Sequence, residues 1–89
     1  MNNVKKEFEL YPEMNIWLET YLKDKYKKSK CNVVVVDCHS FYLDKILQEN
    51  NIIQYFPQIV GLQIEIDVLG LVIYEDSAKL YFIEAKKRN

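Results

Sequence analysis

Glycine and proline are scarce in these 89 residues, two of each, so neither a repetitive fibrous chain nor a low-complexity linker fits the composition. Cysteine is equally scarce: only Cys31 and Cys38 occur, and Cys31 opens a strand-like stretch, so two reduced thiols are expected rather than a secreted disulfide scaffold. With the single histidine, His39, the two cysteines lack the number and spacing of zinc ligands. Cys38 and His39 are adjacent, and neighbours in an extended segment point to opposite faces, which disfavours a nucleophile–base pair. No apolar run approaches the roughly 20 residues of a membrane span. The polar start, Met1 to Lys6, is followed by no apolar signal-peptide core, so a cytoplasmic protein without a membrane partner is expected. A net charge of −1 argues against a protein that coats nucleic acid.

What is present is apolar: 49% of the chain is hydrophobic and 28% charged, the balance of a folded domain, and no repeat or linker divides residues 1–89. A domain this short buries only about 60–65% of the surface that its unfolded chain exposes, so a partner chain would add needed margin. Eleven of the 12 cations are lysines, and they cluster at 5–6, 23–30 and 86–88. The middle run reads as a solvated helix end, whereas Lys86, Lys87 and Arg88 are candidates for phosphate contact.

Pro12 suits a first helical turn, and Met14, Trp17, Leu18, Tyr21 and Leu22 recur at helical spacing up to about Lys28. Trp17 and Tyr21 are expected in the core or at an interface rather than as a base-stacking platform. Cys31 to Val36 is a β-branched run without alternation, a strand covered on both faces. Ser40 can cap a second helix with Phe41, Leu43, Ile46, Leu47 and Asn50 on one face and a stop at Asn50-Asn51. Residues 52–60 are apolar but broken by Pro57 and Gly61. Leu62–Ile73 and Lys79–Ala85 then read as a hairpin about Glu75-Asp76-Ser77-Ala78. Ile66, Val68, Val72, Tyr81 and Ile83 would face one way, and Leu69, Leu71, Leu80 and Phe82 the other. The expected class is α/β (α+β), with both hairpin faces needing cover.

Three charged residues punctuate this apolar hairpin: Asp67, Glu84 and Lys86. Glu84 and Lys86, two apart on one strand, leave the same face. If the turn centres on 75–76, Asp67 lies opposite Glu84; if on 76–77, opposite Lys86; a one-residue slip sends it to the other face. Paired carboxylates repel unless a cation lies between them, and hard oxygen ligands suit Mg²⁺ or Mn²⁺. A lysine beside them can orient a water and stabilise charge developing on a phosphate.

These residues resemble the PD-(D/E)xK nuclease superfamily, whose core runs helix, three strands, helix, strand. Ile66-Asp67 stands where the family has Pro-Asp, and Glu84-Ala85-Lys86 supplies the acidic-x-Lys half after 16 intervening residues. The tripeptide alone arises by chance in such a composition; its context after an apolar strand and turn carries the resemblance. The resemblance implies a metal-dependent endonuclease acting on DNA, with Asp67 and Glu84 as ligands of Mg²⁺ or Mn²⁺ and Lys86 preparing the water. It further implies an acidic residue from the first helix, Glu13 before Glu9. The chain ends three residues after Lys86, so the match covers the first part of that core, and an open edge or uncovered face is expected. A homo-oligomer formed through the hairpin region follows from that expectation. Two other readings remain: a catalytically silent, nuclease-derived assembly module, and a small α/β protein unrelated to nucleases.

Overall fold

The computed structural model describes residues 11–37 and 41–84, which form an α+β fold. Helix α1 (Tyr11–Lys25) leads into strand β1 (Asn32–Asp37); helix α2 (Leu43–Glu49) and two 3₁₀ turns (Ile53–Tyr55 and Pro57–Ile59) then precede strands β2 (Val68–Ile73) and β3 (Ala78–Ile83). The strands make one antiparallel sheet in the order β1-β2-β3, so the most apolar strand lies in the middle. Both its faces are covered. Val68 and Val72 pack with Tyr11, Leu18 and Leu22 of α1. Leu69 and Leu71 pack with Leu43, Ile46 and Leu47 of α2 and with Ile52. That is why β1 and β2 read as continuous apolar runs, the pattern of strands buried between two layers.

Gly70 sets how closely α1 lies on the sheet. A Cβ there would stand 2.6 Å from Leu22 Cδ1 and 3.0 Å from Leu18 Cδ2, so only a missing side chain permits this approach. Pro12 and Glu13 occupy the first turn of α1 while Lys23 and Lys25 occupy its last, each charge complementing the helix dipole. At the far end of α1 the hydroxyl of Tyr26 hydrogen-bonds that of Tyr81 on β3. Lys79 sits 5.6 Å from the Tyr26 ring centroid and 5.8 Å from that of Tyr74.

Several expectations need correction. The buried face of α1 runs through Tyr11, Leu18 and Leu22, and Trp17 and Tyr21 stand on its flank, 60% and 44% exposed, rather than in the core. The α1 layer draws on all three strands, with Val33 and Val35 of β1, Val68 and Val72 of β2 and Tyr81 and Ile83 of β3, and the helix meets it through the row of Leu18 and Leu22. The helix ends at Lys25, and Tyr26–Lys28 form a turn. Residue 41 is not on the buried face of α2: Phe41 precedes the helix and is 56% exposed. The expected cap, Ser40, lies outside the described residues; Tyr42 occupies the N-cap without a side-chain bond, and the Leu43 amide donates to Ile64 O at 2.8 Å. The helix stops at Asn50, whose Nδ2 donates to Ile46 O, and at Asn51, which takes a positive φ of 60°.

The first hairpin strand starts at Val68, not Leu62. Residues 62–66 instead run beneath α2, touching the sheet pattern only at a Tyr42–Glu65 bridge. A bend at Asp67 breaks the alternation, which places Ile66 in the α2 cluster rather than beside Val68. Phe82 belongs to neither core layer and is 54% exposed.

Two predictions follow from the packing. Gly70→Ala is expected to destabilise the fold by about 1–2 kcal/mol and Gly70→Val by about 2–3 kcal/mol or more, because the buried Leu22 cannot yield freely. Urea unfolding midpoints check both. The hydrogen bond from Tyr26, then burial, holds the Tyr81 hydroxyl above its usual pKa of 10.0. A folded-state pKa above the unfolded one gives stability that is present below pH 10.0 and lost as pH rises beyond it. The wild-type midpoint should therefore fall faster above pH 10 than that of Tyr81→Phe, with parallel curves at lower pH.

Candidate functional site

The hairpin register decides where the singled-out acids lie. β2 and β3 pair Val68 with Ile83 through Ile73 with Ala78, so the turn is Tyr74–Ser77, centred on 75–76. The Tyr74 amide closes it on Ser77 O at 2.8 Å. The next residues outward from the last pair are Asp67 and Glu84. Both meet the beginning of α1. Tyr11 Oη donates to Asp67 Oδ1 at 2.8 Å, and Glu84 lines an open cleft of about 540 Å³ with Glu13, Met14, Trp17, Phe82 and Ile83. The bend that throws Ile66 to the α2 side is what turns the Asp67 carboxylate toward α1.

A further carboxylate shares this end of the sheet. Asp37 ends β1 and pairs with Val68, next to Asp67 in the chain. Asp37 is not among the acids that the hairpin pattern singles out. The available signal was positional: it closes an apolar strand, as Glu84 does.

The structure thus brings Asp67, Glu84 and Glu13 to one end of α1 and the sheet. Lys86, Lys87, Arg88 and Glu9 lie outside the described residues, as do Cys38, His39 and Ser40. Cys31 is half-buried against the α1 layer. Among the described residues no group of three or more His, Cys, Asp or Glu is gathered closely enough to hold a metal ion. Mg²⁺ keeps several waters and takes one or two protein carboxylates rather than a full protein cage. Asp67 and Glu84 supply hard oxygen donors of that kind.

The chain matches no family model, no curated protein and no solved structure. Among the described residues no helix is long and apolar enough to cross a membrane.

The Tyr11–Asp67 bond ties the helix start directly to an acid of the hairpin. Tyr11→Phe is expected to cost about 1 kcal/mol, the range of a partly buried hydrogen bond. A double-mutant cycle with Asp67→Ala checks it, and the coupling energy should account for most of the Tyr11→Phe loss.

Proposed function

We propose that this domain is a metal-dependent phosphodiester hydrolase acting on DNA, with a partial PD-(D/E)xK-type core. The observation that carries the reading is the placement of Asp67 and Glu84 just beyond the last hairpin pair, with both beside the first turn of α1. The order helix, then three strands adjacent in one sheet, also accords with the resemblance, with α2 set between the first two strands.

In this reading Asp67 and Glu84 hold Mg²⁺ or Mn²⁺, and Glu13 completes the acidic surround from the helix. Bound there, the cation supplies Lewis-acid stabilisation of charge on the phosphodiester. The protein's own groups do the rest. Tyr11 fixes the Asp67 carboxylate by donating to it. Lys86, two residues beyond Glu84 in the sequence, orients the attacking water and offsets charge developing on the phosphate in this reading. Lys87 and Arg88 contact flanking phosphates.

Nicking of supercoiled plasmid in Mg²⁺ or Mn²⁺ tests the assignment. Asp67→Ala, Glu84→Ala and Lys86→Ala should each lower the rate by roughly 100-fold or more, and EDTA should abolish it. Nicking that persists in Asp67→Ala and Lys86→Ala would overturn the roles.

A second reading is favoured by one observation: β3 is an edge strand among the described residues, and it presents Phe82 exposed. An open apolar edge suits a catalytically silent module that self-associates through the hairpin. Under that reading the purified chain cleaves nothing at any Mg²⁺ or Mn²⁺ concentration, and light scattering at micromolar concentration gives a mass that Phe82→Lys reduces to the monomer's.

A further inference from the structure

Glu13, Trp17, Tyr21 and Lys25 are spaced four apart on α1 and so form one ridge along the helix. From Glu13 to Lys25 the ridge extends about 18 Å. Its two ends differ in charge and its middle is aromatic. Glu13 lines the cleft that holds Glu84, and Trp17 lines the same cleft. The rings of Trp17 and Tyr21 stack at 5.4 Å between centroids and 2° between planes, and both remain exposed. Lys25 Nζ lies 5.9 Å from the Tyr21 ring centroid, at the start of an exposed lysine-rich turn containing Lys27, Lys28 and Lys30. Core packing does not account for these rings, because the buried face of α1 lies on Leu18 and Leu22.

We propose that this ridge is a binding track for single-stranded nucleic acid, with bases stacking on Trp17 and Tyr21 and a phosphate held by Lys25. Three features select that occupant. Exposed aromatic rings such as these stack unpaired bases of any sequence, whereas paired bases hide their faces inside a duplex. The cation beyond the rings attracts a backbone that a net charge of −1 does not attract globally. The ridge runs straight into the cleft shared by Glu13 and Glu84, so a strand stacked on it is led to the acidic end. The direction of the track rests on the phosphodiester reading of that end; the binding itself does not.

Trp17 is the only tryptophan in the chain, so its emission reports this ridge alone. The test titrates the full chain with a 12-nucleotide oligo(dT) in EDTA, where no metal-dependent cleavage occurs. Saturable quenching is expected, with affinity at least tenfold higher than for a blunt duplex of equal length. Anisotropy of a labelled oligo(dT) should show Trp17→Ala and Tyr21→Ala each weakening binding about tenfold, Trp17→Phe restoring most of it, and Ile16→Ala leaving it unchanged. Absence of quenching, or equal binding by Trp17→Ala, overturns the track. So does a dimer that Trp17→Ala converts to monomer without any response to oligo(dT), which assigns the ridge to a second copy of the chain. Plasmid nicking separates the two proposals: nicking without quenching removes the track and keeps the hydrolase, and quenching without nicking does the reverse.

Discussion

The structure depends on the close seating of α1 against the middle strand at Gly70. One absent side chain lets Leu18 and Leu22 descend onto the sheet between Val68 and Val72. With the helix held there, its first turn reaches the open end of the hairpin, where Tyr11 meets Asp67 and Glu13 shares a cleft with Glu84. Its flank is left outside, carrying Trp17 and Tyr21. A larger residue at position 70 would push the helix outward and disturb the core, the acidic end and the aromatic ridge together.

Charge is distributed along the same axis. The sequence is close to neutral, yet the helix termini differ, with Glu13 in the first turn near Glu84 and Lys23 and Lys25 flanking Asp24 in the last. The helix dipole favours this polarity at both termini. A cation bound at one end and an anionic backbone at the other would each meet complementary charge, which a uniform surface of the same net charge would not provide.

Much of the fold was legible because period and burial agree. The alternation-free run at Cys31–Val36 announced a strand covered on both faces, and β1 lies between the α1 and α2 layers. The polar stretch at 75–77 announced the turn, whose length fixes Asp67 and Glu84 as the next residues beyond the ladder. The misread parts are those where tertiary contacts overrule local pattern. Leu62 to Ile66 has strand composition, but the bend at Asp67 directs it under α2. Trp17 and Tyr21 have helical core spacing, but α1 seats on the sheet through Leu18 and Leu22, which leaves them on its flank. The place of Asp37 beside Val68 follows from strand pairing, and pairing between β1 and β2 cannot be read from either strand alone.

The two halves of the sheet also differ in how far apart their partners lie along the chain. β2 and β3 are joined by the four residues Tyr74–Ser77, whereas Asp37 pairs with Val68 across the whole α2 region. Closing the longer loop carries the greater entropic cost, and short hairpins form within about 1–10 μs. The hairpin is therefore the natural early element, and β1 is recruited to an edge already in place. The Asp67–Glu84 end thus belongs to the part of the sheet that needs the least chain ordered to close it, the four residues Tyr74–Ser77.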